Sequence, residues 1–368
     1  MTAIVGAHGF RLEARGAALR RYEMRAISPA SGEVVVEVAG CGVCHTDVGF
    51  ALEGVPTRHP LPLILGHEVS GRVVAAGPGA ERWLGRCVVV PAVIPCGNCP
   101  ACLAGRGTIC RQQFMPGNDG DGGFATHVRI PARGLCPVPE KLPAGLTLEM
   151  LAVVADAVTT PYEAIRRSGL GADDVAVVVG AGGIGGFGIQ IAAARGAAVV
   201  AIDIDRDRLD LVARHGAGLG LDASATDAKG LKAAVRDFVK SSGRKGIGLK
   251  VFEMSGTAAG QTTAFGLLDP GGYLAVVGFN PKPIELRLSN LMAFDATAQG
   301  NWGCPPEQYP AALQLVLAGK LTLAPFLEMH ALDEAPAIFE AVANHSLRRR
   351  VILRPRQHAR NSLGEAKP

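Results

Sequence analysis

Aromatic and charged side chains are both scarce in this 368-residue sequence. It contains two tryptophans and four tyrosines, and charged types make up 19%. A nucleic-acid-binding protein needs a broad basic face, and single-strand binders also need aromatic rings on which bases stack. Residues 343–368 contribute +6 to the net charge of +4 through seven Lys/Arg and one Glu, which leaves −2 for the rest. The composition therefore excludes nucleic acid as a partner.

Targeting and membrane-spanning segments are absent as well. Residues 1–16 have no basic leading region, and His8 and Arg11 interrupt their apolar stretch, so they do not form a secretory signal. The most apolar stretch, residues 175–194, contains six glycines. Clustered glycines after five apolar residues favour a buried strand, a turn and a helix over a lipid-facing helix. We expect a cytoplasmic protein that makes no membrane contact.

Apolar residues (48%) and glycine (48 residues) are abundant. The length is about twice that of a typical domain of roughly 150 residues, which predicts two domains. Residues 32–40, 63–77 and 85–93 are β-branched runs bounded by Gly and Pro, and they predict an all-β, barrel-like domain over the first 150 residues or so.

The rhythm changes near Val158 to alternating strands and helices. Predicted strands lie at 175–179, 197–203, 249–256 and 273–279, with helices that run through Ile191 and Arg214. Such a series predicts a parallel sheet with right-handed crossovers. After Gly300 the pattern becomes helical, a last strand follows at 349–354, and the tail after Arg356 is predicted to be frayed. The fold class is therefore α/β plus β.

Four cysteines lie within fifteen residues, at Cys96, Cys99, Cys102 and Cys110. Four thiolates close a tetrahedral shell around Zn²⁺ and leave no open position, so this site is predicted to be structural. An iron–sulfur cluster is the alternative, although the bacterial ferredoxin pattern has a shorter last gap and a Pro where Arg111 stands. Disulfides would need an oxidising compartment.

A glycine-rich turn follows the strand at 175–179 and begins a helix, with the sequence Gly180-Ala-Gly182-Gly183-Ile184-Gly185. Bare amides at a helix N-terminus receive a pyrophosphate, and glycine allows close approach of the backbone. Asp203 ends the next strand, where its carboxylate would accept the ribose hydroxyls and repel a 2′-phosphate. The pattern favours NAD, while Arg206 and Arg208 keep NADP open as an alternative.

Two further segments carry metal-ligand chemistry, Cys44-His45-Thr46-Asp47 and Gly66-His67-Glu68. Cys44, His67 and Glu68 offer the S, N and O donors of a catalytic zinc site with one position left for substrate. Taken singly, a buried Cys or a His-Glu pair on a strand has a purely structural explanation. Their combination favours the metal site.

Together these motifs resemble the zinc-containing medium-chain dehydrogenase/reductase family of the alcohol dehydrogenase type, over the chain up to about Arg354. The resemblance implies a GroES-like catalytic domain at 1–157 with a structural zinc lobe at about 94–112. It also implies an inserted Rossmann domain at 158–302 and a return to the catalytic domain at 303–368. Two zinc ions per chain, NAD and a dimer or tetramer are expected from it.

The resemblance also assigns roles to residues. Cys44 and His67 would be zinc ligands, Glu68 an alternative ligand, Asp47 an orienting carboxylate, and Thr46 the hydroxyl that contacts the substrate oxygen. The cofactor would be bound by the residues of the glycine-rich turn, Ile184 among them, and by Asp203, Arg208, Val277 and Arg350. An ordinary solvated role for Arg350 is the alternative.

Two positions depart from the family pattern. When the sequence is aligned on Tyr162, Asp156 stands where many relatives have a third zinc-binding Cys. A carboxylate ligates Zn²⁺ well, so we expect Asp156 to replace that thiolate, with a helix-capping role as the alternative. Gly49 stands where relatives often carry the outer His of a proton relay, which leaves His45 or water for that role.

At whole-chain level the sequence is similar to the family that oxidises 6-hydroxycyclohex-1-ene-1-carbonyl-CoA to its 6-oxo thioester in anaerobic benzoyl-CoA degradation. This likeness implies an acyl-CoA thioester substrate, hydride transfer from a secondary alcohol to NAD, and zinc that lowers the pKa of the alcohol. A general zinc alcohol or polyol dehydrogenase is the alternative. A non-catalytic nucleotide-binding protein with structural zinc only is the alternative from another class.

Overall fold

The computed structural model describes residues 3–344 and 346–355. The N-terminal part is built from short strands around one seven-stranded sheet, which also contains two C-terminal strands, β15 (Leu327–Ala331) and β16 (Arg350–Arg354). The order of this sheet is β15-β16-β3-β5-β6-β8, and β7 pairs with β3 as well. A second, three-stranded sheet has the order β2-β1-β4. The strands are β1 (His8–Leu12), β2 (Arg20–Glu23), β3 (Glu33–Gly42), β4 (Leu63–Ile64), β5 (Glu68–Ala76), β6 (Cys87–Val90), β7 (His127–Pro131) and β8 (Cys136–Pro137).

Three short helices accompany these strands: α1 (His45–Ala51), α2 (Pro100–Leu103) and α3 (Thr159–Arg167). A 3-10 segment at Met150–Ala155 is buried and leads into α3. Its apolar side chains belong to the same core cluster as those of the helices that follow Gly183 and Tyr309. Asp156, directly after this segment, is thereby fixed where the two halves of the chain meet.

The middle of the chain forms a six-stranded, all-parallel sheet with the order β11-β10-β9-β12-β13-β14. This is the order of a doubly wound nucleotide-binding sheet, whose ligand site lies at the carboxyl ends of the two central strands. The strands are β9 (Val175–Val179), β10 (Ala198–Asp203), β11 (Leu219–Asp222), β12 (Lys250–Glu253), β13 (Tyr273–Val276) and β14 (Thr297–Gly300). The helices are α4 (Gly183–Ala194), α5 (Arg206–Ala213), α6 (Ala228–Ser242), α7 (Ala258–Gly266) and α8 (Ser289–Phe294).

The C-terminal segment rejoins the first sheet. Its elements are α9 (Tyr309–Leu317), β15 (Leu327–Ala331), α10 (Ala335–Ala343) and β16 (Arg350–Arg354). β16 runs antiparallel to β3, with Ile352 opposite Gly42. This pairing carries Arg350, which is far away in sequence, to the end of β3 where the metal-ligand segments lie.

The fold class predicted from the sequence is confirmed: a GroES-like, β-rich domain is combined with a Rossmann-type parallel sheet. The domain limits at 157 and 302 stay predictions. The single strand expected over 63–77 is wrong, because Gly66 adopts a φ of +100° and separates β4 from β5. Seven strands of two to five residues were missed: β1, β2, β7, β8, β11, β14 and β15.

Two expectations concern the chain as a whole. Among the described residues, no helix is both long and apolar enough to cross a membrane. The predicted frayed tail after Arg356 lies outside the described residues.

Candidate active site and metal centres

Four potential metal ligands meet where the two parts of the chain join. The ligand atoms of Cys44, His67, Glu68 and Asp156 all lie within 4.8 Å of one another. Asp156 Oδ2 is 4.0 Å from Cys44 Sγ and 3.6 Å from His67 Nε2. Zinc–ligand bonds of about 2.0–2.3 Å give tetrahedral edges of about 3.3–3.8 Å, so this donor set fits zinc.

Asp156 is directed at this cluster by Thr160, whose hydroxyl donates to the other carboxylate oxygen, Oδ1. Among the described residues, no backbone N–H donates to the Asp156 side chain, which argues against the capping role. Although burial opposes ionisation, His67, Arg350 and Thr160 together lower the pKa of Asp156 to about 2. The carboxylate is therefore charged and available to a metal at neutral pH.

Asp47 fixes the two other ligand segments. It is fully buried, and its Oδ1 lies 3.1 Å from His67 Nδ1 and accepts the Gly66 N–H at 3.1 Å, while Oδ2 accepts the Cys44 N–H at 3.0 Å. Because a carboxylate only accepts, the Nδ1–H of His67 donates and Nε2 faces the cluster. These contacts agree with an orienting role for Asp47, which stays a prediction of the resemblance.

The acidic surroundings also act on His67. Burial lowers its pKa, but Asp47 and Asp156 outweigh this effect and hold the pKa well above its ordinary value. In the metal-free protein the imidazole therefore keeps its second proton to a higher pH. Because zinc binds only the neutral ring, its affinity for this site rises as the pH rises through that value.

Glu68 faces Arg350 across the sheet. The Arg350 Nε–H donates to Glu68 Oε2 at 3.1 Å, and the guanidinium also contacts Oε1. Burial raises the pKa of Glu68 to about 7, against the influence of Arg350. Because Arg350 binds its carboxylate oxygens, Glu68 is less available than Asp156 as a metal ligand.

Gly42, which the sequence analysis did not single out, makes room for Glu68. A Cβ at Gly42 would lie 1.9 Å from Glu68 Oε2 and 2.9 Å from Glu68 Cβ. Its only sequence signal is its place two residues before Cys44. We expect Gly42→Ala to displace the Glu68 side chain and to lower the free energy of unfolding by about 2 kcal/mol. Chemical denaturation measures this change in the free energy of unfolding. Gly97→Ala is not a suitable control, because Gly97 has a positive φ.

Gly300→Ala is the matched control, since nothing lies within 4 Å of a Cβ there and its φ is ordinary. A Gly42→Ala variant no less stable than Gly300→Ala would contradict the close packing.

Thr46 places a hydroxyl beside the cluster. Its Oγ1 lies 3.6 Å from Cys44 Sγ, on the first turn of α1. This is the position from which a hydroxyl can contact an oxygen atom of a molecule bound at the metal. His45, the neighbouring residue, lies instead in a recess that it shares with Gly183, Arg208 and Arg350.

The second candidate metal centre is formed by Cys96, Cys99, Cys102 and Cys110. The Sγ–Sγ distances are 3.9 Å for Cys96–Cys102, 3.5 Å for Cys99–Cys102 and 3.7 Å for Cys99–Cys110. Zn–S bonds of about 2.3 Å give tetrahedral edges of about 3.8 Å, so the lobe fits a closed zinc shell. Backbone N–H groups, first that of Asn98, lower the pKa of Cys96 to about 6, which favours a thiolate there.

The glycine-rich turn lies between β9 and α4. Gly180 has a φ of +95°, and a Cβ there would lie 2.6 Å from the Ser255 backbone. A Cβ at Gly185 would lie 1.6 Å from the Gly180 carbonyl oxygen. Gly182 is the N-cap and Gly183 and Ile184 begin the helix, so bare N–H groups face the recess that contains Arg350. This arrangement suits a pyrophosphate.

Asp203 lies at the end of β10 beside this turn. Its Oδ2 accepts the Ala181 N–H at 2.6 Å, and its Oδ1 accepts the N–H groups of Ile204 and Asp205. Arg208 Nη1 is 3.9 Å from Oδ1. Val277, which follows β13, is held by its N–H to the Glu253 carbonyl at the same edge of the sheet.

A doubly wound domain, a β-rich domain and two clusters that fit zinc define a zinc-dependent dehydrogenase. Residues 30–140 match the family model "Alcohol dehydrogenase GroES-like domain", and residues 183–318 match the model "Zinc-binding dehydrogenase". The chain belongs to the zinc-containing medium-chain alcohol dehydrogenase family and is an oxidoreductase that acts on CH–OH groups.

Three relatives illustrate the range of this likeness. An alcohol dehydrogenase of Geobacillus stearothermophilus is 30% identical over 88% of this chain and 92% of its own length. An L-galactonate-5-dehydrogenase of Escherichia coli is 29% identical over 80% of this chain and 83% of its own. The crystal structure of galactitol-1-phosphate dehydrogenase from Escherichia coli superposes with a TM-score of 0.83 at 25% identity, over 95% of this chain and 100% of that one.

Proposed function

We propose that this enzyme oxidises a secondary alcohol to a ketone with NAD, at the site formed by Cys44, His67 and Asp156. The observation that carries the proposal is the convergence of four ligand atoms within 4.8 Å, next to the Thr46 hydroxyl. A protein that held only the structural zinc of the four-cysteine lobe would not need a second cluster of ligand atoms between the two halves of the chain.

The chemistry divides between the bound groups and the chain. Zinc would supply Lewis acidity toward the alcohol oxygen, and NAD would accept the hydride. Thr46 would contact the alcohol oxygen, accept its proton and pass its own hydroxyl proton onward. Asp47 holds His67 in one tautomer, and the partly buried Asp156 carboxylate, 13% exposed, balances the positive charge of the site. Cys44, His67 and Asp156 are the proposed zinc ligands, and Glu68 is the alternative ligand.

NAD rather than NADP is the proposed cofactor, because Asp203 would face the adenosine ribose. Replacing Asp203 by Ala removes this carboxylate, and we expect NAD affinity to fall about tenfold while NADP binding improves. Titration of tryptophan fluorescence with each cofactor measures both constants. Because Asp203 also accepts three backbone N–H groups, the thermal stability of the variant is recorded in parallel.

Asp210→Ala, an exposed change on α5, controls for lost negative charge. An unchanged NAD-to-NADP preference in Asp203→Ala would remove Asp203 from the ribose site.

The proposed substrate class is a simple secondary alcohol or a polyol. It is supported by the family membership and by relatives named for alcohols, a sugar acid and a sugar alcohol phosphate. The test is NAD reduction by the purified enzyme with a panel of secondary alcohols, polyols and aldonic acids. Turnover of none of them would contradict this substrate class.

A cyclic β-hydroxyacyl-CoA thioester, the 6-hydroxycyclohex-1-ene-1-carbonyl ester, is the second candidate. The whole-chain likeness of the sequence is the support for this candidate. Including the thioester in the same panel separates the two, since efficient turnover of simple alcohols alone would defeat the CoA candidate.

A nucleotide-binding protein with structural zinc only is distinguished by metal content. We expect about two zinc ions per chain, whereas the binding-only alternative holds about one. A homodimer or homotetramer and a cytoplasmic location also remain proposals. Both are supported only by the resemblance and the sequence.

A further inference from the structure

The proposed reaction, on which this inference rests, releases a proton in a buried place. Oxidation breaks the O–H and C–H bonds of the alcohol, forms C=O, passes the hydride to NAD⁺ and leaves one H⁺. Cys44, Asp47, His67 and Glu68 are each at most 4% exposed and the Asp156 side chain is 13% exposed, so the cluster is largely shielded from water. Thr46, half-buried on α1, is the hydroxyl that we place at the reacting oxygen.

The face of α1 that carries Thr46 continues at Gly49. Residues three apart on a helix lie on one face with Cβ atoms about 5–6 Å apart. Gly49 has no side chain, and the atoms nearest to a Cβ there would be those of Val55 at 3.5 Å, Glu53 Oε2 at 3.6 Å and the Phe279 ring at 4.0 Å. The Glu53 carboxylate therefore lies beside the space that the missing side chain leaves.

The local backbone holds Glu53 in this position. α1 ends at Ala51, and the chain turns back so that the N–H groups of Glu53 and Val55 both donate to the Gly49 carbonyl at 3.2 Å. Glu53 is exposed, and Phe279, 56% exposed, faces it from the Rossmann part of the chain. The carboxylate thus stands at the solvent edge of the cleft between the two parts.

From this geometry we propose that Glu53 receives the proton from Thr46 and passes it to solvent. One or two water molecules bridge the gap between the two side chains. The carboxylate takes up the proton that the alcohol loses and releases it to bulk water, so that charge and atoms balance over one turnover. His45 lines the recess with Gly183 and Arg350 and is not needed for this path.

Glu53→Gln keeps the shape of the side chain and removes its proton-accepting charge. Because water partly replaces a group at the exposed end, we expect kcat for alcohol oxidation to fall about tenfold, less than the hundredfold or more typical of a lost general base. Stopped-flow absorbance follows a pH indicator and NADH in the same single turnover. Proton release in Glu53→Gln should be slower than in wild type. Added imidazole should restore the rate in Glu53→Gln and leave wild type unchanged.

A second variant makes the test independent of folding. A Cβ at Gly49 would have its nearest atoms at 3.5–4.0 Å, which is ordinary van der Waals contact, so the variant Gly49→His combined with Glu53→Gln is a reasonable choice. It supplies an imidazole near the position of the lost carboxylate and should recover most of the lost rate. Glu140→Gln, at another exposed glutamate, controls for loss of charge. NAD affinity, measured by fluorescence, should be the same in all variants.

The outcomes are separable. No turnover by wild type with any alcohol would overturn the proposed function and this path with it. If wild type turns over and Glu53→Gln equals it, the role of Glu53 is overturned alone. A slow Glu53→Gln enzyme that neither imidazole nor Gly49→His restores would assign Glu53 a structural role and equally overturn the proposal.

Discussion

Asp156→Asn should lose the zinc of the catalytic site and about a thousandfold in kcat/KM, because an amide oxygen is a far weaker zinc ligand than a carboxylate. Zinc in the purified protein should fall from about two to about one ion per chain, since the four-cysteine lobe lies outside this site. Metal analysis by mass spectrometry and the rate of NAD reduction measure both effects on one preparation.

Asp156→Cys is the informative companion variant. It provides the thiolate that many relatives have at this position, so zinc content should stay near two while activity changes only in degree. Asp237→Asn, at an exposed position of α6, controls for the loss of one acidic group. Full zinc content and full activity in Asp156→Asn would leave Asp156 only its hydrogen bond with Thr160.

The local motifs of this chain can be predicted well from its sequence. The strand at 175–179, the glycine turn and the following helix are determined by neighbouring residues, because five buried β-branched or small residues and a run of glycines permit few other conformations. The spacing of the four cysteines is equally local. These features therefore appear in the structure close to where the sequence places them.

Contacts between distant segments were not predictable in the same way. Arg350 and Glu68 are 282 residues apart, and only the pairing of β16 with β3 brings them together. The sequence assigned Arg350 to the cofactor, and it does lie beside Gly183, but its ion pair with Glu68 carries no sequence signal. Glu53 was missed for a related reason, since its position depends on how the chain turns after α1.

The proposed role of Thr46 predicts the second large effect. Thr46→Val keeps the branched shape but removes the hydroxyl, so the proton of the alcohol has no acceptor at the first step, and kcat should fall by about a hundredfold or more. Zinc content should be unchanged, because Cys44, His67 and Asp156 are untouched. This combination of full metal loading and low rate distinguishes Thr46→Val from Asp156→Asn.

Thr46→Ser tests whether the hydroxyl itself is responsible. A Ser at this position keeps Oγ near Cys44 Sγ and should retain activity within about tenfold of wild type. The kinetic isotope effect with alcohol deuterated at the carbinol carbon adds a further check. When proton transfer is slow in Thr46→Val, hydride transfer limits the overall rate less, so this isotope effect should be smaller than in wild type. Wild-type kcat in Thr46→Val would mean that another group takes the proton, and the path to Glu53 would then have to begin elsewhere.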